Sequence, residues 1–450
     1  MKVLHVTFGF YPDPVGGTEV YVAALCSELR ASGVECVVAA PGSRNETYAI
    51  EGVPVCRFAT DRPTNGIDTL YGDGDPEMAD AFSRVLDAEQ PDILHQHALT
   101  PACSVQIARD ARRRGIPVVF TYHTPTVTCQ RGTLLEWGAD PCDGRLEIRR
   151  CSACTLQGLG TGRPLGRLLA AMPESAGDWL GTRGLAGGAW TALRMSSLTR
   201  RHHRAIREFL VTVDRFIALA PWVSDVLRAN GVQPARIARS DHGVALIDQP
   251  PKRRESPNGR LRVVHLGRAD VVKGTTLLVR ALQSLDAPVD LDIFGIVQDS
   301  RGAELMRELK SGIGNDQRVR LMPPLPHGDV AGVLAEYDLV AVPSQWMETG
   351  PLVVLEAFAA GVPVLASALG GLADKVTDGV DGLLVRPHDS CDAWMAVLAR
   401  CASEKNLVSG LKHGVRPPRP MAAVATEMLT VYGELVSHRA RAAAEAHAMR

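Results

Sequence analysis

Residues 339–366 read LVAVPSQWMETGPLVVLEAFAAGVPVLA. The apolar run Leu339–Val342 has the length of a buried strand. Pro351–Ala360 has the length and composition of a helix, and Val362–Ala366 is a second strand. Between the first strand and the helix lies a polar turn carrying Glu348. A strand, a helix and a strand in close succession imply parallel strands joined by a crossover, and hence a sheet with helices on its faces.

The same alternation extends in both directions. Arg262–Leu266, Asp290–Phe294 and Arg318–Leu321 are strand candidates upstream, with helices at about Lys273–Leu285, Gly302–Ser311 and Asp329–Glu336. The first half repeats it, with strands at Lys2–Phe8, Glu35–Ala40, Ile93–His97, Pro117–Tyr122 and Arg215–Leu219. Its helices fit Thr18–Ser32, Ala102–Arg114 and Trp222–Asn230. The pattern breaks between about Thr124 and Arg215, where cysteines, glycines and an Arg-rich helix (Met195–Phe209) intervene. Pro250 and Pro251, among several charges, mark residues from about Ala245 to Pro257 as a linker. The chain therefore reads as two doubly wound α/β halves, each of roughly the size of an ordinary large domain. The tail from His438 is Ala/Arg-rich and helix-prone.

Composition narrows the function. The 450 residues carry a net charge of −1, with 46% apolar and 22% charged residues, which fits a soluble globular protein. A near-neutral chain without a nucleic-acid-binding motif is not expected to bind nucleic acid. The opening MKVLHVTFGFYPDP is too short an apolar run for a signal segment and reads as a first strand. No stretch approaches the roughly 20 apolar residues that span a bilayer, so a cytoplasmic location is expected. In that compartment ten cysteines would be mostly reduced.

In open parallel sheets, ligands sit beyond the carboxyl ends of the strands. Four such loops carry chemistry. Gly16-Gly17-Thr18-Glu19 follows the first strand and opens a helix, where backbone can approach an anion. Gly267-Arg268, with Lys273-Gly274 just beyond, places two cations near a helix start and suits a diphosphate. Glu348 lies in the turn after a strand, and Glu356 lies inside the following helix between Leu355 and Ala357. A carboxylate in so apolar a helix calls for a partner, and a diol is a natural one. His123 ends the strand of Val118–Tyr122, and His95 and His97 end the preceding one.

Together these residues resemble the retaining glycosyltransferases of family 4, which have the GT-B fold: two Rossmann-like doubly wound domains facing a cleft. The resemblance runs from the opening strand to Pro387. Its most specific part is Glu348 and Glu356, which match the family's E-x7-E motif in the setting PSxxxExxPLVxLEAxAxGxPV. Gly370-Gly371, the segment Asp378–Leu384, the Gly267/Arg268/Lys273 loop, the Gly16-Gly17 loop and Tyr122-His123-Thr124 match further segments. Three departures are His242-Gly243-Val244, where the family commonly has Asn-Gly-Val, Ala373-Asp374, where it often has Pro-Glu, and the cysteine-rich insertion, which only some relatives carry.

The resemblance implies a division into an acceptor domain (1–248) with a Cys-rich insertion at about 124–210, a nucleotide-sugar donor domain (249–415), and C-terminal helices (416–450) packing back on the first domain. It implies a nucleotide-diphosphate-sugar as donor and a sugar, lipid-linked or small-molecule hydroxyl as acceptor, in cell-envelope polysaccharide or glycolipid synthesis. Arg268 and Lys273 would neutralise the departing diphosphate. Glu348 would bind the donor sugar and Glu356 the nucleotide ribose. Gly16, Gly17, Gly267 and the backbone of Thr349, Gly350, Pro351 and Leu352 would line the phosphates, and His123 would contact the sugar near the reacting carbon. The family's front-face mechanism needs no protein nucleophile and no catalytic cofactor. Competing readings on the same fold are a nucleotide-sugar epimerase, which needs no acceptor, and a non-catalytic nucleotide-sugar-binding module.

Three features stand apart. Cys129, Cys142, Cys151 and Cys154 have the spacing C-x12-C-x8-C-x2-C, which admits a structural zinc site as well as free thiols or a disulfide. Arg145, Arg149, Arg150, Arg163, Arg167 and the run Arg200–Arg207 make peripheral contact with an anionic inner membrane face a candidate property. Asp73-Gly74-Asp75 has the form of a metal-binding DxD motif but precedes a helix (Pro76–Ala88), which favours a loop and cap.

Overall fold

The computed structural model describes residues 1–63, 66–185, 187–245, 259–325 and 327–448. Apart from Ala245, the expected linker lies outside these residues. The chain forms two compact units. One comprises Met1–Asp13, Val22–Asp241 and Val424–Arg450; the other comprises Pro14–Tyr21 and His242–Ala423.

The strands are β1 Lys2–Val6, β2 Glu35–Pro41, β3 Glu46–Ile50, β4 Val53–Phe58, β5 Ile93–Gln96, β6 Val118–Tyr122, β7 Leu135–Glu136, β8 Asp140–Pro141, β9 Arg215–Ala218 and β10 Ile237–Arg239 in the first unit. The second unit holds β11 Leu261–Arg268, β12 Val289–Ile296, β13 Val319–Met322, β14 Leu339–Val342, β15 Val364–Ser367 and β16 Gly382–Val385.

In the second unit the sheet order is β13-β12-β11-β14-β15-β16, and every neighbouring pair is parallel. Counted within the unit this is 3-2-1-4-5-6, the doubly wound order, which reverses between its first and fourth strands. The first unit's sheet runs β10-β9-β6-β5-β1-β2-β4-β3. Its strands β4, β2, β1, β5, β6 and β9 repeat the 3-2-1-4-5-6 order, with β10 added at one edge and the antiparallel β3 at the other.

The central strands are apolar without alternation because both sheet faces are covered. All four residues of β5, of β14 and of β15 are buried. In the second unit Val263, Leu291, Ile293 and Ala341 pack on one face with Leu278, Leu282 and Trp394. Val264, Val340, Val342 and Val364 pack on the other with Val354, Ala357 and Phe358. The terminal helix, Met421–Ala448, buries Val424, Met428 and Tyr432.

The stretch that interrupts the first unit is helical: Ile148–Gly158, Arg163–Ala170, Glu174–Thr182 and the 25-residue Gly188–Thr212. The Arg-rich helix is not one solvated face. Arg194 and His203 are buried, Arg200 pairs with Glu174 and Asp178, and Arg201 pairs with Asp68.

Candidate active site

The reversal of strand order in the second unit falls between β11 and β14, so the loops leaving these two strands diverge and leave a crevice at their carboxyl ends. Gly267 and Arg268 close β11. Asp270 then accepts a hydrogen bond from Val272 N and caps the short turn Val271–Lys273, and Gly274 leads into the helix Thr275–Gln283. From β14 the chain passes through Pro343–Pro351 into the helix Leu352–Ala359. Sequence thus delivers a guanidinium, an ammonium and a carboxylate to neighbouring strand ends.

Lys273 Nζ lies 2.6 Å from Glu348 Oε1, which also accepts a hydrogen bond from Ser344 Oγ at 2.8 Å. The Lys273 ammonium sits 5.3 Å from the centre of the Trp346 ring. Burial alone would raise the Glu348 carboxyl. The Lys273 charge, with hydrogen bonds from Lys273 and Ser344, outweighs it and holds the group below its ordinary value. Arg268 is less engaged: its guanidinium is 3.8 Å from Asp270, and a third of the side chain is exposed.

Two glycines make this packing possible. Gly274 has φ +71°, and a Cβ there would fall 1.9 Å from Pro343 O. Gly371 donates its N–H to Glu348 O at 2.7 Å, and a Cβ there would lie 2.7 Å from Glu348 O, Gly350 N and Thr349 C. The Gly370-Gly371 turn is therefore a backbone floor under the Glu348 loop. A side chain on Gly371 would push that loop away.

The Gly16-Gly17 loop belongs to the same unit. Gly16 N donates to Glu19 Oε2 at 2.8 Å, so the helix's own first-turn carboxylate ties down its start. A Cβ on Gly16 would lie 3.5 Å from Arg268 Cδ, and one on Gly17 would lie 3.8 Å from Leu352 Cδ1. Thr349 and Leu352 are buried, and Pro351 precedes the first turn of the Leu352–Ala359 helix. Glu356 lies in that helix, half-buried, and burial pushes its carboxyl up to about 7. Gly16, Gly17, Gly267, Arg268, Lys273, Glu348, Thr349, Gly350, Pro351, Leu352 and Glu356 therefore all fall within one compact unit.

His123 belongs to the other unit, just past the end of β6. Its Nε2 is 3.1 Å from His97 Nδ1, and His97 Nε2 is 3.1 Å from His5 Nδ1. His95 contacts Tyr432 Oη at 2.5 Å and Thr121 Oγ1 at 2.7 Å. Burial, reinforced by the neighbouring imidazoles, holds His95 and His97 well below the usual histidine range.

Cys129, Cys142, Cys151 and Cys154, whose spacing admits a zinc site, form no disulfide. Among the described residues, the sets of three or more metal-binding side chains with ligand atoms within 4.8 Å of one another are His5–Cys26–Cys36 and His5–His95–His97. Cys129, Cys142, Cys151 and Cys154 form no such set. The reason is local: Cys151 Sγ turns toward Arg145 O at 3.7 Å, while Cys154 Sγ accepts from Trp137 N at 3.3 Å. A zinc ion would require these thiols to move. In the Asp73-Gly74-Asp75 segment, Asp75 caps the Pro76–Glu89 helix and Asp73 pairs with Arg109, which accounts for both carboxylates.

Two family models match, "Glycosyl transferase 4-like domain" over residues 16–240 and "Glycosyl transferases group 1" over residues 248–411. The chain belongs to the family 4 glycosyltransferases. Among its relatives, the D-inositol 3-phosphate glycosyltransferase of Arthrobacter sp. (strain FB24) is 28% identical over 403 residues, covering 85% of this chain and 81% of the relative. The protein of that name from Salinispora tropica is 35% identical over 261 residues, 52% of this chain and 54% of the relative. Among solved structures, sucrose-phosphate synthase from Thermosynechococcus elongatus has a TM-score of 0.66 at 18% identity, covering 97% of this chain and 99% of the other. Anabaena Alr3699/HepE in complex with UDP and glucose has a TM-score of 0.62 at 17% identity, covering 96% and 99%. These structures share the GT-B fold.

In this glycosyltransferase several residues beside the predicted ones shape the site. Ser344 orients Glu348, and Gly371 supports its loop. His242 packs edge-on against Tyr21 at 5.6 Å and lies beside Gly350. Gln298 donates to Pro14 O at 3.0 Å and so holds the segment leading to Gly16. The Gly-Gly and His-Gly-Val segments marked two of these positions. Nothing in the sequence distinguishes Ser344 or Gln298 from ordinary loop residues.

Proposed function

We propose that this glycosyltransferase takes its sugar from a nucleotide-diphosphate donor and transfers it with retention of configuration. The observation that supports this most is the Lys273–Glu348 pair at the β11/β14 reversal, next to Arg268 and the Gly16 loop. A cation pair for a diphosphate and a carboxylate for sugar hydroxyls stand at one set of strand ends. Arg268 and Lys273 bind the diphosphate, Glu348 the donor sugar and Glu356 the ribose diol.

In the proposed step the acceptor hydroxyl oxygen bonds to the anomeric carbon on the face from which the diphosphate leaves. The bond from that carbon to the phosphate oxygen breaks, and the acceptor's proton passes to the departing phosphate oxygen. The protein supplies positioning and fixed positive charge where negative charge grows. Structural relatives were solved with UDP, with UDP-glucose and with ADP, which supports this donor class.

The acceptor is proposed to be a hydroxyl of a cell-envelope saccharide or glycolipid, with peripheral contact at the inner membrane face. Apolar exposure supports that contact better than the arginine runs. Leu159, Leu165, Leu168, Trp179 and Trp190 are 63%, 50%, 69%, 56% and 42% exposed. All belong to the inserted helical segment. Among the described residues no helix is long and apolar enough to cross a membrane.

The donor reading is tested by thermal denaturation of the full chain with UDP, GDP and ADP and their hexose conjugates. A ligand that binds only the folded state raises the melting temperature. One nucleotide class should do so in the wild type and fail to do so in Arg268→Ala. If no nucleotide shifts the transition, the donor assignment is lost.

A further inference from the structure

Helix Gly17–Ala31 buries Val22, Leu25, Cys26 and Leu29, whose spacing marks its inward face. On the neighbouring strands, Val3 of β1 is opposite Cys36 of β2, and His5 is opposite Val38. Side chains alternate along a strand, so His5 and Cys36 share one face of the sheet. Cys26 meets them there. The ligating atoms of His5, Cys26 and Cys36 all lie within 4.8 Å of one another. The three residues belong to one compact unit, and none is more than 1% exposed.

These side chains already interact. Cys36 accepts hydrogen bonds from Cys26 and from His5, and together these outweigh burial and bring its thiol down to about 5. Cys26 shares its proton with Cys36, and burial adds to the effect, so the Cys26 thiol is pushed well up. His5 Nδ1 is engaged by His97 Nε2 at 3.1 Å, which leaves His5 Nε2 for the sulfurs.

We infer that His5 Nε2 and the sulfurs of Cys26 and Cys36 form a structural zinc site that fastens helix Gly17–Ala31 to β1 and β2. Thiolate and imidazole are preferred zinc ligands, at about 2.3 Å and 2.0–2.1 Å. Around such an ion the ligand atoms stand roughly 3.5–4 Å apart, so the three groups need only close slightly. A water takes the fourth position. Binding expels two protons, one from Cys26 and one from the Cys36–His5 pair, and the two thiolates offset the divalent ion. The buried group stays neutral, which avoids the cost of a lone charge in the core. Cu(I) on the same two thiolates would leave a net negative charge there. His5 keeps one proton on Nδ1 and donates it to His97, the outer hydrogen bond that orients a ligating imidazole. The set His5–His95–His97 is a poorer site: it offers no sulfur, and both ring nitrogens of His95 are engaged by the Tyr432 and Thr121 hydroxyls. Full burial means that the ion enters as the chain folds. The inference is independent of the donor reading.

The test uses full-length protein produced in zinc- or cobalt-supplemented medium and purified under reducing conditions. About one equivalent of metal per chain is expected. The cobalt form should show a thiolate-to-Co(II) charge-transfer band and the intense visible bands of a tetrahedral ion. Cys26→Ala/Cys36→Ala should lose the metal, the bands and some thermal stability, while Cys151→Ser/Cys154→Ser should keep all three. Should the alanine variant not fold, Cys36→Ser carries the same test: its charge-transfer intensity should fall by about half with one thiolate gone, and an unchanged band would overturn the proposal. Metal-free wild-type protein, cobalt bound without a thiolate band, or copper in place of zinc would overturn it too. So would a Cys26–Cys36 disulfide found by mass spectrometry, or bands that persist without Cys26 and Cys36 and vanish with Cys151 and Cys154.

Discussion

Lys273 and Glu348 lie 75 residues apart in sequence and meet with Nζ 2.6 Å from Oε1, both largely shielded from solvent. Neither charge would be stable there alone, because removing a lone ion from water is expensive and only a close partner compensates. The pair thus joins the loop after β11 to the loop after β14. It also places the ammonium and the carboxylate that the proposed chemistry uses in fixed positions before any ligand arrives.

Lys273→Met should therefore destabilise the protein, by about 3–5 kcal/mol, since it leaves the Glu348 charge buried without its cationic partner. Adding Glu348→Gln should restore most of that stability while activity stays lost. Urea denaturation of the single and double variants measures the first effect and turnover the second. The pH dependence follows from the lowered Glu348 pKa, where burial opposes and the Lys273 charge prevails. Stability from this carboxylate is fully present above its ordinary 4.5 and declines as pH falls through the lowered folded value. A double variant no more stable than Lys273→Met would mean that the loss has another origin.

Arg268 allows a cleaner separation of chemistry from folding. Its ion pair with Asp270 is 3.8 Å long and partly exposed, and such contacts contribute little to stability. Arg268→Ala should leave the urea midpoint nearly unchanged and lower kcat by on the order of 10²–10³, the usual cost of losing one preorganised charge. Wild-type turnover in this variant would remove Arg268 from the phosphate site.

Glu356 should give nucleotide binding a pH dependence. Burial pushes its carboxyl up to about 7, whereas a ribose diol donates hydrogen bonds and so favours the ionised form. Only the ionised fraction binds well, so affinity should weaken about tenfold between pH 8 and pH 6. The sign for stability is the reverse. The folded state holds a proton that the unfolded state releases near 4.5, so this group's contribution falls as pH rises from 4.5 toward 7. Calorimetric titration of the matching nucleoside diphosphate across this range, with Glu356→Gln as control, tests the point. The variant should lose the Glu356 component of the slope; an identical slope would assign the dependence to the phosphate alone.

The doubly wound strands were legible because central parallel strands are apolar throughout, as in β5, β14 and β15. The strand beside the β3 edge was not. β4 contains Pro54 and an inward Arg57, whose guanidinium is buried against the carbonyls of Phe10 and Pro41 and the Tyr48 hydroxyl. A buried arginine with local partners breaks the apolar pattern without breaking the strand. The loop residues of the proposed donor site were chosen as glycine, arginine and glutamate at strand ends. The imidazole chain could not be read in this way, because His5 reaches His97 only through the pairing of β1 with β5. The cysteine spacing fixes separation along the chain and leaves the direction of each thiol undetermined.

Gly274→Ala tests whether the close approach of this turn to Pro343 matters. Gly274 has φ +71° and its Cβ would fall 1.9 Å from Pro343 O, so the substitution must move the start of the Thr275–Gln283 helix and Lys273 with it. A loss of about 1–3 kcal/mol is expected from the overpacking, with a larger proportional loss of activity. Gly312→Ala, where a Cβ would meet nothing within 4 Å inside the Ser300–Ile313 helix, should instead be neutral or stabilising by up to about 1 kcal/mol. Equal effects of the two would show that loss of glycine flexibility, and not the contact with Pro343, sets the outcome.

The inserted helices offer a surface test. In Arg163–Ala170 the inward positions are Gly166 and Ala170, and the outward ones include Leu165 and Leu168. Arg163 and Arg167 stack on Trp137, and Arg183 on Trp179, so cations and aromatic rings share the exposed side of this segment. Apolar side chains ringed by arginine suit the boundary of an anionic bilayer. Co-sedimentation with vesicles of phosphatidylglycerol and phosphatidylcholine should exceed that with phosphatidylcholine alone. Leu165→Ser/Leu168→Ser should release the protein at unchanged melting temperature, because neither side chain is in the core. Arg200→Gln and Arg201→Gln should matter less, since those guanidinium groups are already paired with Glu174, Asp178 and Asp68. Binding that survives the leucine changes and vanishes with the arginine changes would move the contact to the Gly188–Thr212 helix. No binding to either vesicle would remove the membrane from the proposed function and leave the donor site as it stands.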